Sequence, residues 1–400
     1  MRMKPIAIAL GILVLILRFY VGDYDQADAK LEAFYAQMLS ADFLGARKNI
    51  DEAISLWPSN ARYYGWRAYL ASQNLPPTSL RSLGGDQPAL KNQDRAAAQR
   101  AIEDYRRALT LNSHDAVAHH NLAWLEKLLG DDKRAGDDWG AAVAIDPGNA
   151  EFHLSWGMFL EATGDKQRAQ DEYEVAIDLS PSILDSQFFA RYRMRSKNDA
   201  ELVLNRVTEK LEAKIQQGSD PILEARLAKL YLFRGDFARA SRLLEDASRQ
   251  LPNLPLVWLN LGEAHERQGH LAEAMDCYRK AQVINGSLAG PYLRMGELQL
   301  QNGQKTDATQ SFTQAIQRWQ RVTPVTAAHN NRLYVGTRQR IDDLLPTTLV
   351  WYSTPCEASQ AWQGLSQLYP QKREYAARTK TCESLPSPHT FENPNEGFKP

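Results

Sequence analysis

Alanine recurs in this sequence at a fixed interval, which constrains the fold more than any other feature. Ala101, Ala135 and Ala169 follow one another at intervals of 34 residues. A period of this length, kept over several copies, is typical of a chain built from one helical unit that stacks on its own copies. The same interval separates the members of three further sets: Ala240, Ala274 and Ala308; Ala108, Ala142 and Ala176; and Ala247, Ala281 and Ala315.

The clearest copy of the unit runs from Pro255 to Gln282 and places bulky and small residues at fixed positions. Positions 4, 7, 8, 15, 20, 24 and 27 are Trp258, Leu261, Gly262, Gly269, Ala274, Tyr278 and Ala281. Four further copies are in register with this one. The pattern resembles the tetratricopeptide repeat at each of these seven positions. The resemblance implies an all-α tetratricopeptide-repeat solenoid, in which antiparallel helix pairs wind into a right-handed superhelix.

The residue types at these positions have a physical basis. Small residues at positions 8, 20 and 27 let helix axes approach closely, and bulky residues at positions 4, 7 and 24 fill the remaining space. Glycine at position 15 suits a left-handed cap at the end of the first helix. The glycines predicted to end first helices are Gly130, Gly164, Gly235, Gly269 and Gly303.

Irregular intervals predict where the array is interrupted. We predict that the solenoid covers residues 25–320, with an insertion at about 73–93 that is rich in turn-forming residues. The insertion would separate a helix at Ala61–Ser72 from its partner at Asp94–Leu111.

A second interruption follows the copy that ends near Pro181. The interval from Ala169 to Ala240 is three residues longer than two repeats, which indicates a degenerate unit at about 184–219. We expect this unit to join two well-formed blocks, residues 94–181 and 221–320, and to change the curvature or admit a partner there.

The residues beyond the repeats are predicted to cover the exposed apolar end of the array. Solenoids need such caps for solubility, and residues 321–385 are predicted to form capping helices. Helices at Pro355–Tyr369 and Gln371–Glu383 would form an antiparallel hairpin, and residues 386–400 are predicted to be disordered.

The three cysteines bear on the cellular compartment. The predicted hairpin brings the start of its first helix near the end of its second, so Cys356 and Cys382 are predicted to form a disulfide. Such a bond would agree with an oxidising compartment, whereas two unrelated free thiols are the alternative. Cys277 is predicted to be a small buried apolar residue.

The N-terminal segment predicts a membrane anchor. Arg2 and Lys4 precede an apolar run from Ile6 to Leu17, and residues 5–22 together approach the length of a membrane span. We therefore assign residues 1–24 to an uncleaved signal anchor, with the basic end in the cytoplasm. The repeats would then lie outside the inner (cytoplasmic) membrane, in the periplasm if the cell is Gram-negative. A cleaved signal peptide is the alternative.

Composition and motifs narrow the classes of function. The net charge of −1 and a pI near 6.7 show no excess of basic residues of the kind that binds nucleic acid, so no nucleic-acid partner is expected. No nucleophile elbow, phosphate-binding loop or metalloprotease motif occurs, so we predict no enzyme activity and no cofactor. His119 and His153 share position 4 of their repeats, but stacked helices hold equivalent positions about 10 Å apart, too far for one metal. No metal site is predicted.

The resemblance places the functional surface on the concave face, lined by first helices at positions 2, 5, 9 and 12. Positions 5 and 9 of the N-terminal units do not carry the residues of the chaperone-type carboxylate clamp. Trp124, Leu154 and Met158 would form an apolar patch on this face unless they pack against the next unit. Glutamates would make the C-terminal half acidic. The predicted partner-binding residues are His120, Trp124, Lys127, Leu154, Met158, Glu161, Lys229, Glu263, Glu266 and Glu297.

Two functions follow from these features. The first is a membrane-anchored scaffold that acts in assembly or regulation of a cell-envelope complex. It would bind a protein or peptide partner, which we expect to be a membrane-embedded envelope protein. The long array with its N-terminal anchor, together with the segment Pro181–Arg195, resembles helpers of surface-polysaccharide polymerases or ligases. The second is a glycan-binding or catalytic envelope subunit, because Tyr63, Tyr64, Trp66 and Tyr69 on one helix could stack on sugars.

Overall fold

A computed structural model of the chain describes residues 22–38, 42–72, 75, 91–185, 187–218, 220–286, 288–318 and 360–378. Throughout these ranges the ordered elements are helices joined by short turns, and no strand occurs in them. The prediction of an all-α, paired-helix fold is confirmed. The apolar run of the predicted anchor, Cys356, Cys382 and the predicted disordered tail lie outside the described residues. The helices fall into two compact units, which divide after Ile145.

The first unit contains six described helices. Its N-terminal core is aromatic: Phe34, Tyr63 and Trp66 are almost completely buried. The helices on the two sides of the predicted insertion pack on one another through Ala68, Ala98 and other small residues. The helices are α1 (22–38), α2 (Phe43–Leu56), α3 (Ala61–Ser72), α4 (Asn92–Leu111), α5 (Ala116–Leu129) and α6 (Asp132–Ile145).

The second unit begins at Asp146 and contains the remaining described helices. A short 3-10 helix, Pro181–Asp185, interrupts the succession of α-helices. The α-helices are α7 (Ala150–Thr163), α8 (Lys166–Leu179), α9 (Gln187–Arg195), α10 (Lys197–Gln217), α11 (Pro221–Arg234), α12 (Phe237–Gln250), α13 (Pro255–Arg267), α14 (Leu271–Ile284), α15 (Ala289–Gln301), α16 (305–318), α17 (360–368) and α18 (Arg373–Arg378).

Short polar residues and glycines set the helix ends. The carboxylate of Asp115 accepts a hydrogen bond from the backbone N–H of Ala118 at the start of α5, and Asp236 does the same for Arg239 in α12. The five glycines that were predicted to end first helices all have left-handed φ angles, between 73° and 93°. Only glycine adopts this conformation without strain, so the chain can turn directly into the second helix.

Close helix contacts depend on small residues at position 8. A Cβ atom on Gly157 would lie 2.7 Å from the ring of Tyr173, and one on Gly296 would lie 2.8 Å from the ring of Phe312. Each pair joins position 8 of a repeat to position 24 of the same repeat. The rule inferred from the sequence, that small residues admit bulky ones across the helix pair, is therefore realised in the structure.

The degenerate unit is replaced by the 3-10 helix, α9 and the long helix α10. Phe188 and Tyr192 of α9 are stacked at 5.9 Å between ring centroids and are both almost fully buried against Tyr173 of α8. Tyr231 of α11 donates a hydrogen bond to Glu212 of α10. This segment thus packs on both of its neighbours, through aromatic rings on one side and a hydrogen-bonded carboxylate on the other. The division between the two compact units falls after Ile145.

Charged side chains form an ionic ladder between α8 and α10. Cations recur every fourth residue along α10 and face carboxylates of α8 at distances of 2.8–3.6 Å. Asp178, the carboxylate at the end of the ladder, is paired with two lysines at 3.1 Å each. The ladder consists of Arg206, Lys210 and Lys214 on α10 and Asp171, Glu174 and Asp178 on α8.

Helices α17 and α18 lie within the segment predicted to cap the array. Ala361 and Leu365 of α17 belong to the same buried cluster as Phe312 of α16. A Cβ atom on Gly364 would lie 2.4 Å from that ring, so α17 packs closely on the last repeat. The hydroxyls of Thr309 and Tyr369 are 3.1 Å apart.

None of the helices in the described ranges combines the length and the apolar character that a bilayer span requires. The apolar run from Ile6 to Leu17 is not among those ranges. Residues 22–24, which the sequence assigned to the end of the anchor, belong to helix α1.

Candidate functional site

The predicted partner-binding residues of the first unit are buried in α5. His120 is 5% exposed, and burial lowers its pKa to about 3, so the ring is neutral at ordinary pH. Trp124 is 1% exposed and meets Trp139 edge to face at 4.7 Å between ring centroids. The ammonium group of Lys127 is 2.8 Å from Asp132. These side chains contribute to packing, which favours the alternative interpretation of Trp124.

The apolar members on α7 are buried as well. Leu154 is 1% exposed and Met158 is 2% exposed, so a partner could reach neither without displacing its neighbours. Glu161, one turn further along α7, is different. Its carboxylate accepts hydrogen bonds from the hydroxyl of Tyr173 at 2.8 Å and from Arg195 at 3.2 Å, and its side chain is partly exposed.

The partly exposed charges of the second unit form a row along consecutive first helices. Lys229 of α11 is its centre, with Nζ at 2.8 Å from Asp185 and 3.5 Å from Glu263 of α13. Burial lowers the pKa of Lys229, but the two carboxylates outweigh it and the net shift is upward. The charge of Lys229 in turn lowers the pKa of Glu263. Lys229 and Glu263 are therefore both ionised over the ordinary pH range.

Helix α15 continues the row. The guanidinium of Arg294 is 3.1 Å from Glu297 and also interacts electrostatically with Glu263. Burial raises the pKa of Glu297, although the charge of Arg294 opposes the shift. Glu297 thus protonates more readily than Glu263. We call this set, Asp185, Lys229, Glu263, Arg294 and Glu297, the charge row.

A recurrent hydrogen bond holds the glutamate at position 12. Tyr278 donates to Glu266 at 2.5 Å, as Tyr173 does to Glu161 in an earlier repeat. In both cases the tyrosine is at position 24, so the second helix fixes a carboxylate on the first. With Glu266, the charge row presents four carboxylates against two cations, and it remains acidic as predicted for Glu263, Glu266 and Glu297.

Two members of the charge row were not found from the sequence. Asp185 lies in the 3-10 helix, where the repeat register gives no assignment. Arg294 is at position 6, which the resemblance did not place on the partner face. A signal was present, because position 6 carries Arg226, Asn260 and Arg294 in successive repeats whose first helices are otherwise mostly apolar.

The residues considered for sugar or metal binding serve other roles. Tyr63, Tyr64, Trp66 and Tyr69 are at most 8% exposed and lie in the aromatic core of the first unit. His119 forms a 2.5 Å hydrogen bond with Asp138, whose proximity raises the pKa of the histidine. Within the described ranges, histidine, cysteine and acidic side chains form no group of three or more suited to a metal.

A family model identifies the repeat. Residues 226–289, which include Lys229 and Glu263 of the charge row, match the model described as Tetratricopeptide repeat. The chain carries tetratricopeptide repeats. No curated protein matches the sequence.

The chain also matches several solved structures. One from Parabacteroides merdae is 15% identical, with 73% of this chain and 92% of that chain covered and a TM-score of 0.34. Yeast Tom70 is 12% identical, with 81% and 92% covered and a TM-score of 0.31. The TPR2AB-domain:pHSP90 complex of yeast Sti1 is 18% identical, with 60% and 91% covered and a TM-score of 0.26.

Proposed function

We propose that this chain is a membrane-anchored tetratricopeptide scaffold that binds a protein partner in a cell-envelope complex. The charge row is the observation that carries the proposal. Its carboxylates are held in place by buried or half-buried cations, and Asp185, Glu263 and Glu297 keep 28–40% of their side chains exposed. A rigid row of partly solvated charges along consecutive first helices is suited to recognising a partner segment rather than to transforming a small molecule.

The chemistry of the row defines the partner. Four carboxylates, counted with Glu266, outnumber two cations, so basic side chains of an extended or amphipathic segment would complement the surface. Lys229 and Arg294 lie between the carboxylates. We therefore expect the partner segment to bind most tightly when its basic residues have a fixed spacing. A membrane-embedded envelope protein with such a segment is the partner that we propose.

The location is proposed from the N-terminal sequence. Residues 5–22 would anchor the chain in the inner (cytoplasmic) membrane, and Arg2 and Lys4 would keep the short N-terminal end in the cytoplasm. The tetratricopeptide repeats would then lie on the extracytoplasmic side. Within the envelope, the resemblance of Pro181–Arg195 to helpers of polysaccharide polymerases makes surface-polysaccharide polymerisation the first pathway to test.

Topology and binding class are tested separately. A phosphatase that is active only outside the cytoplasm, fused after Pro400, should be active; inactivity would contradict the proposed location. The full-length chain in detergent should co-purify a specific membrane protein and give no signal on a glycan array. A glycan signal without a protein partner would instead support the sugar-binding alternative, which the burial of Tyr63 and Trp66 does not favour.

A further inference from the structure

Arg226 of α11 is a half-buried cation that has no partner among the described residues. Its Nε atom is buried and has no hydrogen bond, and within the described residues its guanidinium takes part in no ion pair. Burial lowers the pKa of Arg226, and the more distant charges of Asp178 and Asp220 offset this only in part. A desolvated guanidinium without a counter-ion costs folding free energy, so its presence requires an explanation.

The repeat register explains why Arg226 has no partner. Arg294 occupies the same position two repeats later and is paired with Glu297 at 3.1 Å. The residue equivalent to Glu297 in the repeat of Arg226 is Lys229, a cation. The two carboxylates near Lys229 are directed to that lysine, at 2.8 and 3.5 Å. The exchange of one glutamate for lysine thus leaves Arg226 unneutralised.

A pocket of about 410 Å³, including the solvent at its mouth, opens beside Arg226. Asn260, one repeat later at the same position, also lines it. This side chain is 6% exposed and makes no hydrogen bond within the described residues, so a second polar group in the pocket lacks a partner. The opposite wall is apolar and is formed by Leu254, Leu256 and Val257.

We propose that this pocket binds the carboxylate side chain of an aspartate or glutamate that stands next to an aliphatic residue in the partner segment. The carboxylate would accept hydrogen bonds from the Arg226 guanidinium and from the Asn260 amide, and the aliphatic side chain would contact the leucine wall. Lys229 also lines the pocket, but it is already paired with Asp185 and Glu263, so a single negative charge would match the cation that the described residues leave unneutralised, Arg226. The inference rests on the proposed scaffold function and specifies one acidic contact within an otherwise basic partner segment.

The first test measures the stability of the chain without a partner. Arg226→Met keeps most of the side-chain volume and removes the unpaired charge, so the variant should melt at the same temperature as the wild type or higher. Arg242→Met is the matched control, because Arg242 is exposed and also has no ion pair. A lower melting temperature for Arg226→Met alone would assign Arg226 a structural role and overturn the inference.

The second test identifies the occupant. Randomised short peptides, fused to a carrier at their carboxyl ends, are selected on the full-length chain and counter-selected on Arg226→Met. Enriched peptides should carry an acidic residue next to an aliphatic one. As synthetic peptides with blocked ends, they should bind the wild type and Arg242→Met at least about tenfold more tightly than Arg226→Met, with partial recovery in Arg226→Lys.

Three results would overturn the inference: enrichment without acidic residues, no enrichment at all, or equal binding to Arg226→Met. Binding that requires a free carboxyl terminus would also reject it, in favour of a terminal carboxylate as ligand. The scaffold proposal fails separately if no membrane protein co-purifies with the chain although the peptides still bind the wild type more tightly than Arg226→Met. If a membrane protein co-purifies but the peptides do not distinguish Arg226→Met, only the pocket assignment is wrong.

Discussion

The ring of Tyr278 occupies the space that a side chain on Gly262 would need. A Cβ atom built on Gly262 lies 2.4 Å from Cε1 of Tyr278, far inside van der Waals contact. Tyr278 is completely buried, and its hydroxyl donates the hydrogen bond that holds Glu266. The pair therefore connects the packing of one helix pair to the orientation of a carboxylate beside the charge row.

Gly262→Ala should lower the stability of the array by about 1–3 kcal/mol, because the added methyl group forces the tyrosine ring or the helix axis to move. Chemical denaturation of the variant and the wild type measures the difference. Gly65→Ala is the control, since nothing lies within 4 Å of a Cβ at that helical position. It should be neutral or stabilising by up to about 1 kcal/mol. Equal effects of the two variants would contradict the packing role of position 8.

Met158→Ala should lower stability by about 2–5 kcal/mol, because Met158 is 2% exposed and the truncation leaves a cavity in α7. Met194→Ala is the matched control, since Met194 is 84% exposed and should change stability by less than about 0.5 kcal/mol. Melting and partner capture are measured on both. If Met158→Ala melts normally but no longer captures the partner, Met158 belongs to the binding surface and not to the core.

Asp178→Asn should destabilise the second unit by about 1 kcal/mol or more, because Lys214 loses its partner in the ionic ladder and Lys210 keeps only the longer pair with Glu174. The difference from the wild type should shrink as salt is added, since screening weakens the native pairs. Asp246→Asn removes an exposed pair with Arg249 and serves as the control, with an expected effect below about 0.5 kcal/mol. A salt-independent loss at Asp178 would indicate packing instead of charge.

Glu126→Gln should flatten the pH dependence of stability. Burial raises the pKa of Glu126 from 4.5 to about 7, although Arg106 lies 2.7 Å away. The folded chain therefore holds this proton more tightly than the unfolded chain. The resulting stabilisation is complete below about pH 4.5 and is lost as the pH rises through about 7, by an amount of about 2–3 kcal/mol.

Denaturation midpoints measured across this window test the assignment. The loss of stability with rising pH should be smaller in Glu126→Gln than in the wild type. The pH-dependent loss of stability should not vanish in this variant, because the pKa of His119 is also raised. His119 loses its stabilising positive charge as the pH rises. Glu209→Gln, an exposed position on α10, should retain the wild-type slope. Identical slopes for Glu126→Gln and the wild type would show that Glu126 titrates normally.

The fold could be predicted largely from spacing, because the interval of 34 residues and the position-15 glycines fix the helix length and the turn between helices. The predicted helix Ala61–Ser72 has the observed bounds. The degenerate segment was harder to predict. Its long helix, Lys197–Gln217, lies within the predicted degenerate unit, but the short helix α9 has no counterpart in the repeat pattern.

The candidate site was predicted only in part, for a physical reason. Repeat positions state which way a residue points from its helix, but not whether a neighbour covers it. Trp124 and Met158 were therefore assigned to the partner face although they are buried, whereas Glu263 and Glu297 are partly exposed as expected for that face. The ion pairs of Asp185 and Arg294 depend on contacts between elements, which spacing within one element does not reveal.

Photo-crosslinking in the intact cell tests the central claim, that the charge row is the surface that holds the partner. A photoreactive amino acid placed at Glu297 should form one adduct of defined mass with a membrane protein. The same amino acid at Arg279, an exposed position on the second helix of the preceding repeat, should form none. An adduct at Arg279 with the same protein, or no adduct at Glu297, would contradict the account.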